Sequence, residues 1–261
     1  YPAFGLRNVP VTNSKGQTVY KNFVTSVKLQ NPFGTCWGFA VIAATESSIL
    51  SRYELSYDEE GEPFQDSGVS GNLYGTCDLD LSELHLAWFA LHALPKNAPN
   101  NQGGEGIHFL NEDDPGYEDE ALDLGGGMFY GTTTFGAGIG PMYEETVPYQ
   151  PKDARHHIEY SGGKKMNYSS GGDWSVSEDK RFGIVGELEE SSVLPSPADL
   201  TEDADGNTSY EYNPRGTEAI KSELVKGRAV SIAFCADTSQ PGQSSDDTLY
   251  ISENWAHYTC I

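Results

Sequence analysis

The sequence predicts an α+β fold, and three observations predict it. Helical patterns crowd into the first half, strand-like runs come later, and a Gly- and Ser-rich stretch separates the two. With 261 residues and 37% hydrophobic content, the chain is long enough to bury a sizeable core in one large domain or two lobes.

Taken in order, residues 1–35 read as irregular chain with one strand. Residues 37–52 form the central helix, because Trp37 to Leu50 is mostly apolar with good helix formers, and the breaking Pro and Gly lie before Cys36, apart from Gly38. Tyr53 to Cys77 is a polar, Gly-rich insertion. Leu81–Leu94 is apolar at helical spacing and is closed by Pro95. Residues 97–120, rich in Asn, Gly and acid, are loop-like, and Ala121 to Phe135 holds a third helix. Ser161 to Asp179 is the expected crossing between lobes. Beyond it, Phe182–Glu187, Val230–Phe234 and Thr248–Ser252 read as strands, with Glu218–Lys226 a helix between them. There is no internal repeat.

The most informative segment is Gln30-Asn31-Pro32-Phe33-Gly34-Thr35-Cys36-Trp37-Gly38-Phe39-Ala40. It places Cys36 at the start of the central helix, where unpaired backbone N–H groups and the positive end of the helix dipole favour the thiolate, the form that acts as nucleophile. Acyl transfer also needs donors for a developing oxyanion. The Gln30 side-chain amide and the Cys36 backbone N–H would supply them. A lone cysteine is most often a buried structural thiol; the flanking residues argue otherwise here.

Those residues resemble the signature around the nucleophile of the papain and cathepsin family of cysteine peptidases, with Gln30, Gly34, Cys36, Trp37, Phe39 and Ala40 on its pattern. The resemblance continues along the chain. Val24–Gln30 is similar to the strand entering the nucleophile loop, and Asp80–Leu86 to the family's Leu-Ser-Glu segment. Gly125–Phe129 resembles the Gly-Gly loop beside the substrate cleft, Gly140–Tyr149 the Glu…Pro-Tyr stretch, and Glu218–Ala233 the helix and strand before the catalytic histidine. The Leu-Ser-Glu-Leu-His-Leu wording is closest to the bacterial and archaeal cell-surface branch. What the resemblance implies is a single papain-like domain over residues 1–261, mainly helical to about residue 160 and mainly β from about 180. The active site would lie in the cleft between a helical lobe and a β-rich lobe. It implies a peptidase in which Cys36 attacks the scissile carbonyl and Gln30 holds the oxyanion. Gly126, Gly127 and Met128 would line the cleft for a polypeptide in extended conformation. No cofactor or metal is implied.

The departures concern the general base. The family uses a histidine in a His-Ala-Val or His-Gly-Val strand, oriented by the Asn of Asn-Ser-Trp-Gly, and neither motif occurs. His156 and His157 sit in a polar connection that reads as a surface loop. His257 follows Val230–Ala233, as the family order requires, but no aliphatic strand follows it. In the cell-surface branch, a Tyr-rich stretch similar to Leu249–Tyr258 precedes the histidine motif. The resemblance therefore favours a histidine and Asn beyond Ile261 over His257, and a chain that is catalytically incomplete as it stands.

The net charge of −23, from 39 acidic and 16 basic residues, repels nucleic acid and anionic lipid. It suits a secreted or cell-surface setting. No apolar run approaches a membrane span, and the first residues do not read as a signal peptide. With no room for an inhibitory propeptide before Cys36, the start is expected to be mature or trimmed, leaving a propeptide or further domains outside this chain. Asp203–Ser209 opens like a calcium loop, but Thr208 stands where that loop needs glycine and Pro214 where it needs the bidentate Glu, so a polar turn is expected. If Cys36 is free, at least one of Cys77, Cys235 and Cys260 is unpaired. Cys235 with Cys260 is one geometric option. His85 and His92, seven apart on the second helix, read as structural. Two other readings use the same residues: a papain-like binding or cell-surface module whose site has decayed, and a transglutaminase-like acyl transferase, which fits the Gln30 spacing less well.

Overall fold

The computed structural model describes residues 4–57, 76–95, 121–156, 158–161, 164–234 and 259–260. Strands β1 (Val9–Thr12) and β2 (Thr18–Lys21) precede helix α1 (Cys36–Arg52). Then come β3 (Ser56–Tyr57), β4 (Thr76–Cys77), α2 (Glu83–Leu91), α3 (Met128–Gly136), β5 (Ile158–Ser161) and β6 (Lys164–Tyr168). β7 (Ala198–Glu202), β8 (Thr208–Tyr212), α4 (Pro214–Val225), β9 (Ala233–Phe234) and β10 (Thr259–Cys260) complete the order. Among the described residues the strands form five two-stranded sheets, antiparallel except for β3 with β4. Helices and small sheets are thus mixed, an α+β arrangement. No helix among the described residues is long and apolar enough to cross a membrane.

The chain divides into two compact units, and the division falls within α1. The first comprises Tyr1–Val27, Ala43–Asp80 and Leu188–Val230. Its β1–β2 hairpin turns on Asn13, whose Oδ1 accepts from the N–H groups of Lys15 (3.0 Å) and Gln17 (2.9 Å) while Gly16 takes a positive φ of 75°. The sequence reading expected one strand before Cys36 and placed it at Val24–Gln30; the structure pairs Val9–Thr12 with Thr18–Lys21 instead. Val24–Gln30 joins no strand, because its contacts run to side chains and loops. Val24 N–H donates to Asn22 Oδ1 (3.0 Å), and the Thr25 hydroxyl to buried Glu46 (2.5 Å). Helix α4 starts on Asn213, whose side chain accepts from Arg215 and Gly216 N–H, with Pro214 at its first position. Its C-cap is Lys226, and Gly227 follows at φ +82°. The Asp203–Ser209 segment is the β7–β8 turn: Asp203 Oδ1 accepts from Asp205 and Asn207 N–H, both at 2.9 Å, the polar turn expected.

The second unit comprises Lys28–Ile42, Leu81–Glu187 and Ser231–Ile261, so Ser161–Asp179 lies inside it. Helix α2 is its buried centre, every residue from Glu83 to Leu91 being enclosed. A wholly buried helix must satisfy its ends and its polar side chains. Ser82 caps the start, accepting from His85 N–H (3.0 Å) and donating to Val147 O (2.6 Å). Glu83 pairs with Lys28 at 2.8 Å. At the far end Arg181, itself buried, donates to the carbonyls of His92 (3.1 Å) and Ala93 (2.9 Å), is paired by Glu178 at 2.6 Å, and lies over the Phe89 ring. His92 takes an extended backbone (φ −99°, ψ 126°), so α2 stops at Leu91 rather than running to Leu94 as Pro95 suggested, and Arg181 satisfies carbonyls just beyond its end. The expected third helix splits into a 3₁₀ turn, Ala121–Asp123, and α3, because Gly125–Gly127 interrupt it. Phe182–Glu187 forms turns and bends rather than a strand, and Val230–Phe234 contributes only Ala233 and Phe234 to one. Thr248–Ser252, residues 97–120 and most of the Tyr53–Cys77 segment lie outside the described residues.

Candidate active site

Cys36 is the first residue of α1 and a free, half-buried thiol. The carbonyl of Thr35 accepts from Gly38 N–H (2.9 Å) and Phe39 N–H (3.2 Å), so the helix winds directly from the residue before Cys36. The N–H groups of Cys36 and Trp37, ahead of them, have no intrahelical acceptor. No acidic side chain occupies that turn to offset the dipole of this 17-residue helix.

Gln30, six positions earlier, donates from Nε2 to the carbonyl of Phe33 at 3.1 Å. A primary amide has two N–H donors. One locks the side chain against its own loop and leaves the other for an acceptor. Tyr149 closes this loop. Its hydroxyl donates to the Gln30 carbonyl (2.6 Å) and accepts from the buried Thr35 hydroxyl (2.7 Å). Burial pushes the phenol far above its ordinary range, against the opposing effect of the Thr35 hydrogen bond, so it stays a neutral donor. Tyr149 is itself fixed: its N–H donates to Glu144 (2.6 Å), and its ring packs edge-on against Phe39 (5.0 Å) and Trp174 (5.4 Å). Phe33 completes the cluster, edge-on to Trp174 at 4.8 Å.

The glycine run reaches the same place. A Cβ on Gly34 would lie 3.7 Å from Asp123 O and 3.9 Å from Gly125 Cα, so the two loops meet backbone to backbone. A Cβ on Gly126 would lie 2.6 Å from the Nε1 of Trp37, the residue after Cys36. Gly127 is the extended N-cap of α3 with open space where a Cβ would point, and Met128 is the first helical residue, half-buried. Cys36, Gln30, Gly126, Gly127 and Met128 thus all belong to one compact unit.

No sequence family, no curated protein and no solved structure matches this chain.

Two histidines have described side chains, and both are engaged elsewhere. His85 Nε2 meets Lys180 O at 3.0 Å, and His92 Nδ1 meets Trp88 O at 2.7 Å, with the His92 ring stacked on Trp88. Both are structural, as their spacing suggested. His157, His257, Cys235 and Leu249–Tyr258 lie outside the described residues. Among the described residues, no cluster of His, Cys, Asp and Glu is arranged to hold a metal ion. Sequence reasoning assigned no role to Tyr149, Thr35 or Trp174. The one signal was the Pro-Tyr dipeptide, and nothing in a single sequence pairs a tyrosine with a threonine 114 positions away.

Proposed function

We propose that this chain is a papain-like cysteine peptidase, closest to the cell-surface branch of that family, acting on polypeptides outside the cell. The observation that carries this reading is the loop from Gln30 to Cys36: one phenol ties both its ends, and it delivers a free thiol to a helix N-terminus. In the proposed reaction the Cys36 thiolate adds to the scissile carbonyl. The oxyanion is met by the Cys36 N–H and the second N–H of Gln30. A histidine general base, protonated as the thiolate forms, returns its proton to the departing amine as the carbon–nitrogen bond breaks. Water then adds to the thioester and releases the acid. An extended substrate passes Gly126, Gly127 and Met128, where the two glycines let a peptide backbone approach.

A second reading, a papain-like binding module without catalysis, draws on the engagement of His85 and His92 with backbone carbonyls. One experiment separates the two. This chain, and the same chain extended at its C-terminus, are incubated with an epoxide thiol-protease inhibitor, and the adduct is mapped by mass spectrometry. Rapid, selective labelling of Cys36 in either protein, lost in Cys36→Ser, is the result expected of a peptidase. Labelling in neither leaves the binding module.

A further inference from the structure

We propose that Tyr149 is the positioning residue of the oxyanion hole, setting both of its donors at once through a single hydroxyl. The inference rests on the peptidase reading above and adds a residue to it. The two donors are rooted at opposite ends of the loop: the Gln30 amide hangs from Gln30 Cα, and the Cys36 N–H belongs to the peptide that Thr35 shares with Cys36. The Tyr149 hydroxyl donates to the Gln30 carbonyl at 2.6 Å and accepts from the Thr35 side chain at 2.7 Å. Its one proton and an oxygen lone pair are both used on that loop. A seven-residue loop needs ties at both ends to hold two donors to the few tenths of an ångström that oxyanion stabilisation requires. The phenol can provide them, because Glu144, Phe39 and Trp174 immobilise it.

Tyr149→Phe keeps the ring and its edge-on contacts and removes only the hydroxyl. The test compares two probes on this chain and on the same chain extended at its C-terminus, reading the variants in whichever binds the aldehyde. A peptide aldehyde forms a hemithioacetal on Cys36 and depends on the oxyanion hole, whereas iodoacetamide alkylates the thiolate without needing one. Tyr149→Phe is expected to weaken aldehyde binding about tenfold, equivalent to about 1.4 kcal/mol. It should lower kcat with little change in KM, and leave the alkylation rate within about twofold of the parent. Thr35→Val should act in the same direction, and Thr35→Ser, which keeps the hydroxyl, should restore binding. Unchanged aldehyde affinity in Tyr149→Phe overturns the assignment. So does a loss matched by an equal fall in alkylation rate and thermal stability, which would make Tyr149 a general prop of the loop. Failure of both this chain and the same chain extended at its C-terminus to bind the aldehyde would instead overturn the peptidase reading, and this inference with it.

Discussion

Replacing Gly126 by alanine adds one methyl group at a place the structure leaves no room for. The new Cβ would lie 2.6 Å from Trp37 Nε1 and 2.8 Å from its Cδ1 and Cε2. The indole has no easy retreat: Trp37 is 1% exposed, and Tyr130 stands edge-on to it at 5.4 Å. Gly126 does not occupy the left-handed region, so the effect is steric rather than conformational. Overpacking of this kind costs about 1–3 kcal/mol, and for a chain of this size each kcal/mol lowers Tm by about 2–4 °C. The control is Gly127→Ala, one residue on, where a Cβ meets nothing within 4 Å. Thermal unfolding followed by tryptophan fluorescence should rank Gly126→Ala clearly below both the parent and Gly127→Ala. Trp37→Phe, which shrinks the ring, should recover part of the loss in the double variant, a coupling measurable as a double-mutant cycle. Equal Tm values for the two alanine variants would refute the argument that the glycine run lies against the residue following Cys36.

Gly216→Ala should destabilise by about 3 kcal/mol in chemical denaturation, because its Cβ would collide with the Ser196 carbonyl, a backbone atom that cannot rotate away. Thr25→Val removes the hydroxyl that donates to fully buried Glu46 and should cost about 1–3 kcal/mol by urea midpoint; Val27→Thr, at an exposed site, should be near neutral. His85 titrates below its ordinary range, chiefly through burial, with the Lys180 carbonyl opposing and Arg181 reinforcing. A base with a depressed folded-state pKa leaves stability intact above the unfolded value and loses it below, so unfolding midpoints should fall as pH drops below about 6.5. His85→Gln, which can still donate to Lys180 O but does not titrate, should flatten that decline, and an unchanged slope would exclude His85 as its source.

The α+β class was legible because it follows from local pattern. The run after Cys36 is apolar, and its helix breakers lie before the thiol, so α1 begins where the sequence said it would. The turn at Asp203 was legible for the same reason: a short carboxylate bonds the N–H groups two and four residues on, whatever surrounds it. Strands fared worse. Val24–Gln30 and Phe182–Glu187 carry β-forming residues, yet strand formation needs a partner, and Phe182 and Ile184 remain exposed without one among the described residues. The β1–β2 hairpin was hidden in a turn centred on Asn13 rather than in a two-residue signal.

For the candidate site, the sequence by itself determined the chemistry of the parts: a cysteine at a helix start, a glutamine six residues before it, and a glycine run. Each depends on residue type and near neighbours, which a linear pattern records. The tertiary structure alone decided how the parts are held. It set Trp37 against Gly126, carried Arg181 to the end of α2, and brought Tyr149 across 119 positions to the Gln30 carbonyl. Such contacts arise when buried polar groups must find partners wherever packing brings them, so their geometry is fixed by the folded core and not by spacing along the chain.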